Sequence, residues 1–330
     1  MKHARIAGIG HYAPEKIVSN ADLEKLMDTS DDWITERTGI KERHFAEGDV
    51  GTSDLGVTAA EKALEMAELS PEDIDLVIFA TISSDFFFPG SAVQIQEKMG
   101  MKNVGAFDLR AACSGFVYGL AVADQFLKTG THENVLLIGA EIQSTAIKFE
   151  TEHRDMAILF GDGAGAVVLQ ATNSDSRILS THLHSDGKYA RELWLAAPGS
   201  RYKPWLSREI MDKGLHIPSM NGREVFRHAV VRFPEVIHEA LDHNNLTLDD
   251  VKLIIPHQAN LRISQAVAKR LGVDMDMVYS NIHKYGNTTA ASIPIAMSEA
   301  YSEGRFGKGD IVIAAAFGSG FTWASAAIRW

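Results

Sequence analysis

EKALEMAELSPEDIDLVIF occupies residues 61–79, and HEALDHNNLTLDDVKLII occupies residues 238–255. Each reads as a helix end, a polar loop with a capping carboxylate, and a short apolar strand. Ala63 aligns with Ala240. After each strand come a loop and another helix, ending in Glu97-Lys98-Met99-Gly100 and in Lys269-Arg270-Leu271-Gly272. Downstream, Val135-Leu136-Leu137-Ile138-Gly139-Ala140 matches Ile311-Val312-Ile313-Ala314-Ala315-Ala316. The helix starting near Cys113 pairs with the one starting near Asn287, in Gly286-Asn287-Thr288-Thr289. Four elements in one register point to duplication rather than to a chance likeness of α/β units. The chain is expected to form two α/β halves, 1–172 and 173–330. Cys113 and Asn287 would then stand at equivalent helix starts and face each other across a pseudo-twofold axis.

Composition narrows the classes. The 330 residues are 45% hydrophobic and 23% charged, as in a soluble globular protein. A net charge of −11 argues against nucleic acid as a general partner, because phosphate binding needs a basic face. No sustained apolar stretch follows the basic start Met1-Lys2-His3, so no secretory signal is expected. The longest uncharged stretch, Ile311–Ile328, reads as two buried strands joined by a glycine loop rather than as a membrane span. A single cysteine excludes an intramolecular disulfide and fits a reducing compartment, so the cytoplasm is the expected location.

That cysteine, Cys113, precedes the apolar helix Phe116-Val117-Tyr118-Gly119-Leu120. Exposed N–H groups at a helix start favour a thiolate and hence a nucleophile. Most free cysteines, however, are simply small buried hydrophobes. His257 follows the strand Val251–Pro256, where ligand sites of α/β folds collect. Asn287 by itself could be no more than a helix cap. Taken together, Cys, His and Asn at strand exits and helix starts make a set suited to thiol-based acyl transfer. Ser30 reads as an N-cap and Gly39 as a stop, which puts Trp33 and Arg37 on one helix face. A flat aromatic beside a guanidinium suits a base and a phosphate, although alone the pair reads as surface cover. Phe160-Gly161-Asp162-Gly163-Ala164-Gly165 leads into a strand and lacks phosphate-loop spacing, so it reads as a tight turn. Phe317-Gly318-Ser319-Gly320 is a second turn, whose backbone N–H groups could face an oxyanion. His182, His184 and His216 have no metal-ligand spacing, and no metal is expected.

Several segments together carry a family likeness. They are Asp28-Thr29-Ser30-Asp31-Asp32-Trp33-Ile34, Arg37-Thr38-Gly39-Ile40, Ala112-Cys113-Ser114-Gly115, Gly161-Asp162-Gly163-Ala164-Gly165, Pro256-His257-Gln258-Ala259-Asn260, Gly286-Asn287-Thr288 and Phe317-Gly318-Ser319-Gly320-Phe321-Thr322-Trp323. With them the chain resembles the β-ketoacyl-acyl carrier protein synthase III family of thiolase-like condensing enzymes. The resemblance implies a five-layered αβαβα fold built from two duplicated halves. It implies that Cys113 takes an acyl group from acyl-CoA, which is a substrate and not a cofactor. Malonyl-acyl carrier protein would then bind, with His257 and Asn287 stabilising the enolate left by decarboxylation. The N–H groups of Cys113 and Ser319 would form the oxyanion hole. The product would be a 3-oxoacyl-acyl carrier protein, opening fatty acid synthesis. Trp33, Arg37 and Arg154 are implied in holding CoA adenine and phosphates, and Asn260 the pantetheine arm. Phe88 would reach into the acyl pocket of the other subunit of a homodimer. Arg227, Arg262, Lys269 and Arg270 would form the patch for the acidic carrier protein.

Two features depart from the family pattern. Ser319 stands where glycine is common, and the stretch Leu195–Asn221 is longer than in compact housekeeping members. Both keep open a synthase III-like condensing enzyme or acyltransferase of specialised metabolism, with another acyl donor or acceptor. A papain-like hydrolase shares the Cys, His, Asn order but predicts neither the duplication nor the Trp/Arg face. A non-catalytic scaffold would have no need of all three residues.

Overall fold

Alternate residues of each central strand are apolar and buried on both sides, the mark of sheets covered on both faces. The computed structural model describes residues 2–330. In chain order the strands of its two main sheets are β1 (His3–Tyr12), β2 (Leu76–Ala80), β3 (Gly105–Leu109), β4 (Asn134–Glu141), β5 (Gly163–Thr172), β6 (Arg177–Ser185), β7 (Val251–Pro256), β8 (Ile311–Gly318) and β9 (Thr322–Arg329). The helices that position the site are α1 (Asp31–Thr38), α2 (Thr52–Ala67), α3 (Ser91–Lys98), α4 (Gly115–Lys128), α5 (Gly222–His243), α6 (Leu261–Leu271) and α7 (Ser292–Ser302).

The first sheet runs β1-β5-β4-β2-β3 and the second β6-β9-β8-β7. Both pair their strands in the same sense. β2 lies parallel to β4, as β7 does to β8, and the next two pairings outward are antiparallel in each sheet. Where the first sheet adds β3, the second has a single parallel bridge from Ile254 to Val278. Even the connecting turns correspond. Ser70 and Thr247 each donate a hydroxyl to a carboxylate three residues on, Asp73 and Asp250, at 2.7 and 2.8 Å.

Side-chain alternation builds the layers. Val77, Phe79, Leu136 and Ile138 point outward against α2 and α3. Leu76, Ile78, Val135 and Leu137 point inward, onto Phe116, Val117 and Leu120 of α4. From the second sheet, Leu253, Val312 and Ala314 meet Ile293 and Met297 of α7 in the same inner cluster. Ile254 and Ile313 face outward against Phe233, Ile263 and Val267 of α5 and α6. The result is helix, sheet, helix pair, sheet, helix. Each fully buried large side chain here, such as Phe79, Phe116 or Phe233, contributes about 1.5–3 kcal/mol of hydrophobic stabilisation.

One expected correspondence changes. A one-turn 3₁₀ segment, Ala112–Ser114, leads into α4, and another, Thr289–Ala291, leads into α7. The first residue of each is left-handed without being glycine, with φ of 46° at Ala112 and 50° at Thr289. Ala112 therefore matches Thr289, and the counterpart of Cys113 is Ala290, not Asn287. Asn287 sits just upstream, where its side-chain oxygen accepts the Thr289 N–H at 2.9 Å. That local turn copies a helix cap, which is why the sequence reads like a helix start there.

Candidate active site

Cys113 lies at the inner end of a passage of about 430 Å³ that opens beside α1 and α6. His257, Asn287, Phe317 and Gly318 line the same passage, and Trp33, Arg37, Asn260 and Arg262 lie along it. The central helix pair and the two sheets thus bring Cys113, His257 and Asn287 to one cavity.

Each is held from a different element. The turn before α4 presents Cys113, with Ala112 strained at its base. The β8–β9 hairpin folds its tip over this turn. A Cβ on Gly318 would lie 2.5 Å from Cys113 Cβ and 2.8 Å from its Sγ, so only glycine lets the hairpin approach. Thr322 Oγ1 donates to Ser114 Oγ at 3.1 Å, fastening tip to turn. The backbone N–H groups of Ser319 and of Cys113 itself both face the sulfur. Ser319 has kept this N–H, and its hydroxyl donates to the Leu193 carbonyl at 2.5 Å.

The helix start does not hold Cys113 as a thiolate, contrary to the expectation from its position. The residue is only 5% exposed. Burial first, and then the nearby Glu141 carboxylate, push the thiol up to about 12, against the pull of the two N–H groups. The resting sulfur is a protonated thiol.

His257 leaves β7 with its own N–H donating to the Ala315 carbonyl at 2.8 Å. Its Nδ1 lies 2.6 Å from Ser292 Oγ on α7, and its Nε2 is buried with no partner among the described residues. Burial drives the imidazole down to about 3, so the ring is neutral. Asn287 is pinned through its backbone, donating to Leu159 at 2.8 Å and accepting from Gly161 at 3.1 Å. Its side-chain oxygen is spent on Thr289, which leaves its NH₂ group free to donate. Two donor-type groups without acceptors among the described residues thus converge on one cavity with a thiol.

At the mouth, Ser30 caps α1 and Gly39 ends it at φ 77°. The Arg37 and Arg154 guanidinium carbons lie 4.3 and 4.8 Å from the centroid of the Trp33 ring. The aromatic–guanidinium face therefore exists, with Arg154 joining it from a separate short helix. Asn260 is already engaged: its oxygen caps α6 through the Arg262 N–H and its NH₂ donates to the Arg37 carbonyl, both at 2.9 Å. Phe88 is 80% exposed in a loop with Phe86 and Phe87 and does not line its own chain's passage. Arg227, Arg262, Lys269 and Arg270 are all exposed on the packed pair α5 and α6. Arg227 is paired with Glu224.

Some residues at the site carried no sequence signal. Leu193 and Met220, cross-strand partners in a two-residue ribbon, wall the passage. Met220 comes from the long segment 195–221 whose role the sequence left open, and Leu193 stands just before it. Ser292 and Glu141 are ordinary residues in helix and strand patterns, and only the fold shows what they touch. Asp162, in the Gly-rich turn, accepts from the N–H groups of Ala46, Gln143 and Ser144 and ties three loops together, a structural role as expected.

The duplicated five-layered architecture is that of a thiolase-like condensing enzyme, an acyl-transferring class. Over 99% of this chain, the fold superimposes with a TM-score of 0.91 on the 3-oxoacyl-[acyl-carrier-protein] synthase III of Aquifex aeolicus, which is 43% identical and covered in full. It also matches the priming β-ketosynthase of the R1128 polyketide pathway, with a TM-score of 0.91, 33% identity, and 99% of this chain and 96% of that one covered. The chain is 49% identical to the β-ketoacyl-[acyl-carrier-protein] synthase III of Caldanaerobacter subterraneus, over 99% of its length and 98% of the relative's. Residues 107–187 match the 3-oxoacyl-[acyl-carrier-protein] synthase III model and residues 241–330 its C-terminal model. The chain belongs to the 3-oxoacyl-[acyl-carrier-protein] synthase III family.

Proposed function

We propose that Cys113, His257 and Asn287 carry the family's reaction, the decarboxylative condensation of an acyl primer with malonyl-acyl carrier protein at the start of fatty acid synthesis. The observation that carries this reading is the shared cavity, with a thiol at its end and, beside it, the unpartnered His257 Nε2 and the amide of Asn287, whose oxygen is held by the Thr289 N–H.

In the first half-reaction the Cys113 sulfur attacks the thioester carbon of acyl-CoA. A new C–S bond forms, the bond to the CoA sulfur breaks, and the thiol proton ends on CoA. No permanent thiolate is required, which suits a sulfur held protonated. In the second, the bond from the malonyl α-carbon to its carboxylate breaks and releases CO₂. The electron pair becomes an enolate, whose oxygen takes hydrogen bonds from His257 Nε2 and the Asn287 NH₂. The enolate carbon attacks the acyl-Cys113 carbonyl. The N–H groups of Cys113 and Ser319 hold the tetrahedral oxyanion until the C–S bond to Cys113 breaks, and the leaving sulfur takes a proton from solvent, since its first went out with CoA. Decarboxylation itself supplies the carbanion, so the chemistry calls for donors rather than a strong base or a cofactor.

The Trp33 ring with Arg37 and Arg154 suits the CoA adenine and phosphates, and Asn260 stands where pantetheine must pass. The exposed arginines and lysine of α5 and α6 would meet the carrier protein. Phe88 would serve a second subunit in a homodimer, and the two halves 1–172 and 173–330 would form its structural repeat. Among the described residues no helix is long and apolar enough to cross a membrane. We assign the protein to the cytoplasm. The long segment that walls the passage and Ser319 favour one alternative, a primer or acceptor of specialised metabolism at the same acyl-Cys113.

Intact-mass analysis after exposure to a panel of acyl-CoAs tests the reading. One adduct on Cys113 is expected, and its mass names the primer. Cys113→Ala should form none. His257→Ala and Asn287→Ala should still acylate while condensing about 10²–10³-fold more slowly. Full condensation by Cys113→Ala would refute the nucleophile.

A further inference from the structure

The proposed role of His257 requires a proton on Nε2, and a neutral imidazole carries only one. Nothing in the ring itself decides which nitrogen has it. The contacts of Ser292 do. Its oxygen lies 2.6 Å from His257 Nδ1 and 3.4 Å from the backbone nitrogen of Gln258. The Gln258 N–H can only donate, so one lone pair of the hydroxyl is taken. Ser292 opens α7, and among the described residues its oxygen has no acceptor other than Nδ1. Ser292 and His257 are each 2% exposed, so water does not substitute. If Nδ1 carried the proton, the serine hydroxyl hydrogen would be buried with no acceptor. With the hydroxyl donating to Nδ1, every side-chain hydrogen-bonding hydrogen of Ser292 and His257 except that on Nε2 has a partner among the described residues. That last one is the unpartnered atom aimed into the passage.

We propose that Ser292 is a positioning residue for the condensation step: its hydroxyl donates to Nδ1 of His257, fixing the tautomer whose Nε2–H faces the malonyl thioester oxygen. The chain of donors runs from the Gln258 backbone through Ser292 to His257, and ends at the reacting oxygen. Gln258 is itself held, its NH₂ donating to Pro256 at 2.7 Å and its oxygen accepting from Ser280 at 3.1 Å. The relay therefore starts from a fixed point of the fold. The inference rests on the proposed role of His257, and it adds a residue that never touches substrate.

Two measurements test it. With ¹⁵N-histidine labelling, the His257 signals are identified by their loss in His257→Asn. In the wild-type protein they should show a bare Nδ1 and a protonated Nε2; a protonated Nδ1 overturns the proposal without any variant. In Ser292→Ala the ring should lose this preference. Condensation with malonyl-acyl carrier protein should fall about 10²-fold, the scale of one lost oxyanion donor. Formation of acyl-Cys113 from acyl-CoA should stay within a few-fold, which a misfolded variant would not manage. Ser292→Thr, which restores a hydroxyl, should recover most of the condensation rate. A Ser292→Ala protein with unchanged tautomer and rate refutes the role of Ser292 alone. A His257→Asn protein that condenses normally refutes the underlying reading of His257.

Discussion

Two influences meet at the Cys113 sulfur, and burial outweighs the N–H groups around it. Below its pKa the thiolate fraction rises tenfold per pH unit. Alkylation of Cys113 by iodoacetamide is therefore expected to keep accelerating through pH 10 without a plateau; a plateau near pH 8 would mean the sulfur is not desolvated as described. The neighbouring glycine makes a second residue-level case. Gly318→Ala places a methyl carbon within 2.8 Å of Sγ, where neither backbone can yield cheaply. Acyl-enzyme formation should fall by more than tenfold, read by intact mass, with the melting temperature reporting any cost to the fold. The three residues that share the cavity were legible because each stands in a distinctive local pattern: a lone cysteine before an apolar helix, a histidine leaving a strand, an asparagine in a glycine-flanked turn. The ionisation of the sulfur was not legible, since it depends on burial by β8 and β9, hundreds of residues away in the chain.

At the scale of elements, the Leu193–Met220 ribbon and the β8–β9 tip are coupled through one hydroxyl. Ser319→Gly would remove the bond to the Leu193 carbonyl while leaving the backbone N–H in place. Condensation should persist within a few-fold, because the N–H is the group the oxyanion needs. Limited proteolysis within 195–221 should become faster, as a tether of about 1 kcal/mol is lost; unchanged proteolysis would show that the tether does not hold the segment. Helix α1 was readable to the residue, since Ser30 and Gly39 announce its ends and both act as caps. The elbow at Thr289 was not. Asn287 imitates a cap there, and a left-handed threonine leaves no trace in a pattern of polarity. The ribbon was equally silent, because two residues paired across a long loop have no periodicity to read.

Taken whole, the molecule exposes Phe86, Phe87 and Phe88 on one loop, with Phe87 4.7 Å from the exposed Trp205. An apolar cluster of this kind on a surface loop fits the proposed subunit contact. Phe88→Asp should shift the mass measured by light scattering from dimer toward monomer; a mass identical to that of the unaltered protein would remove Phe88 from the contact. The doubled architecture was legible because repeated apolar strands and capping turns are local features, copied in order along the chain. The missing fifth strand of the second sheet was not, since a single bridge at Val278 leaves no strand-length run to find. The paired left-handed bends at Ala112 and Thr289 carry a last consequence. Each stores about 1–3 kcal/mol of strain, yet only one precedes a sulfur. Ala290 is sealed at 1% exposure, with its carbonyl pressed against Gly139. A cysteine grafted at Ala290 would not yield a two-headed catalyst, because the second bend has become a strut that braces the first and has no doorway of its own.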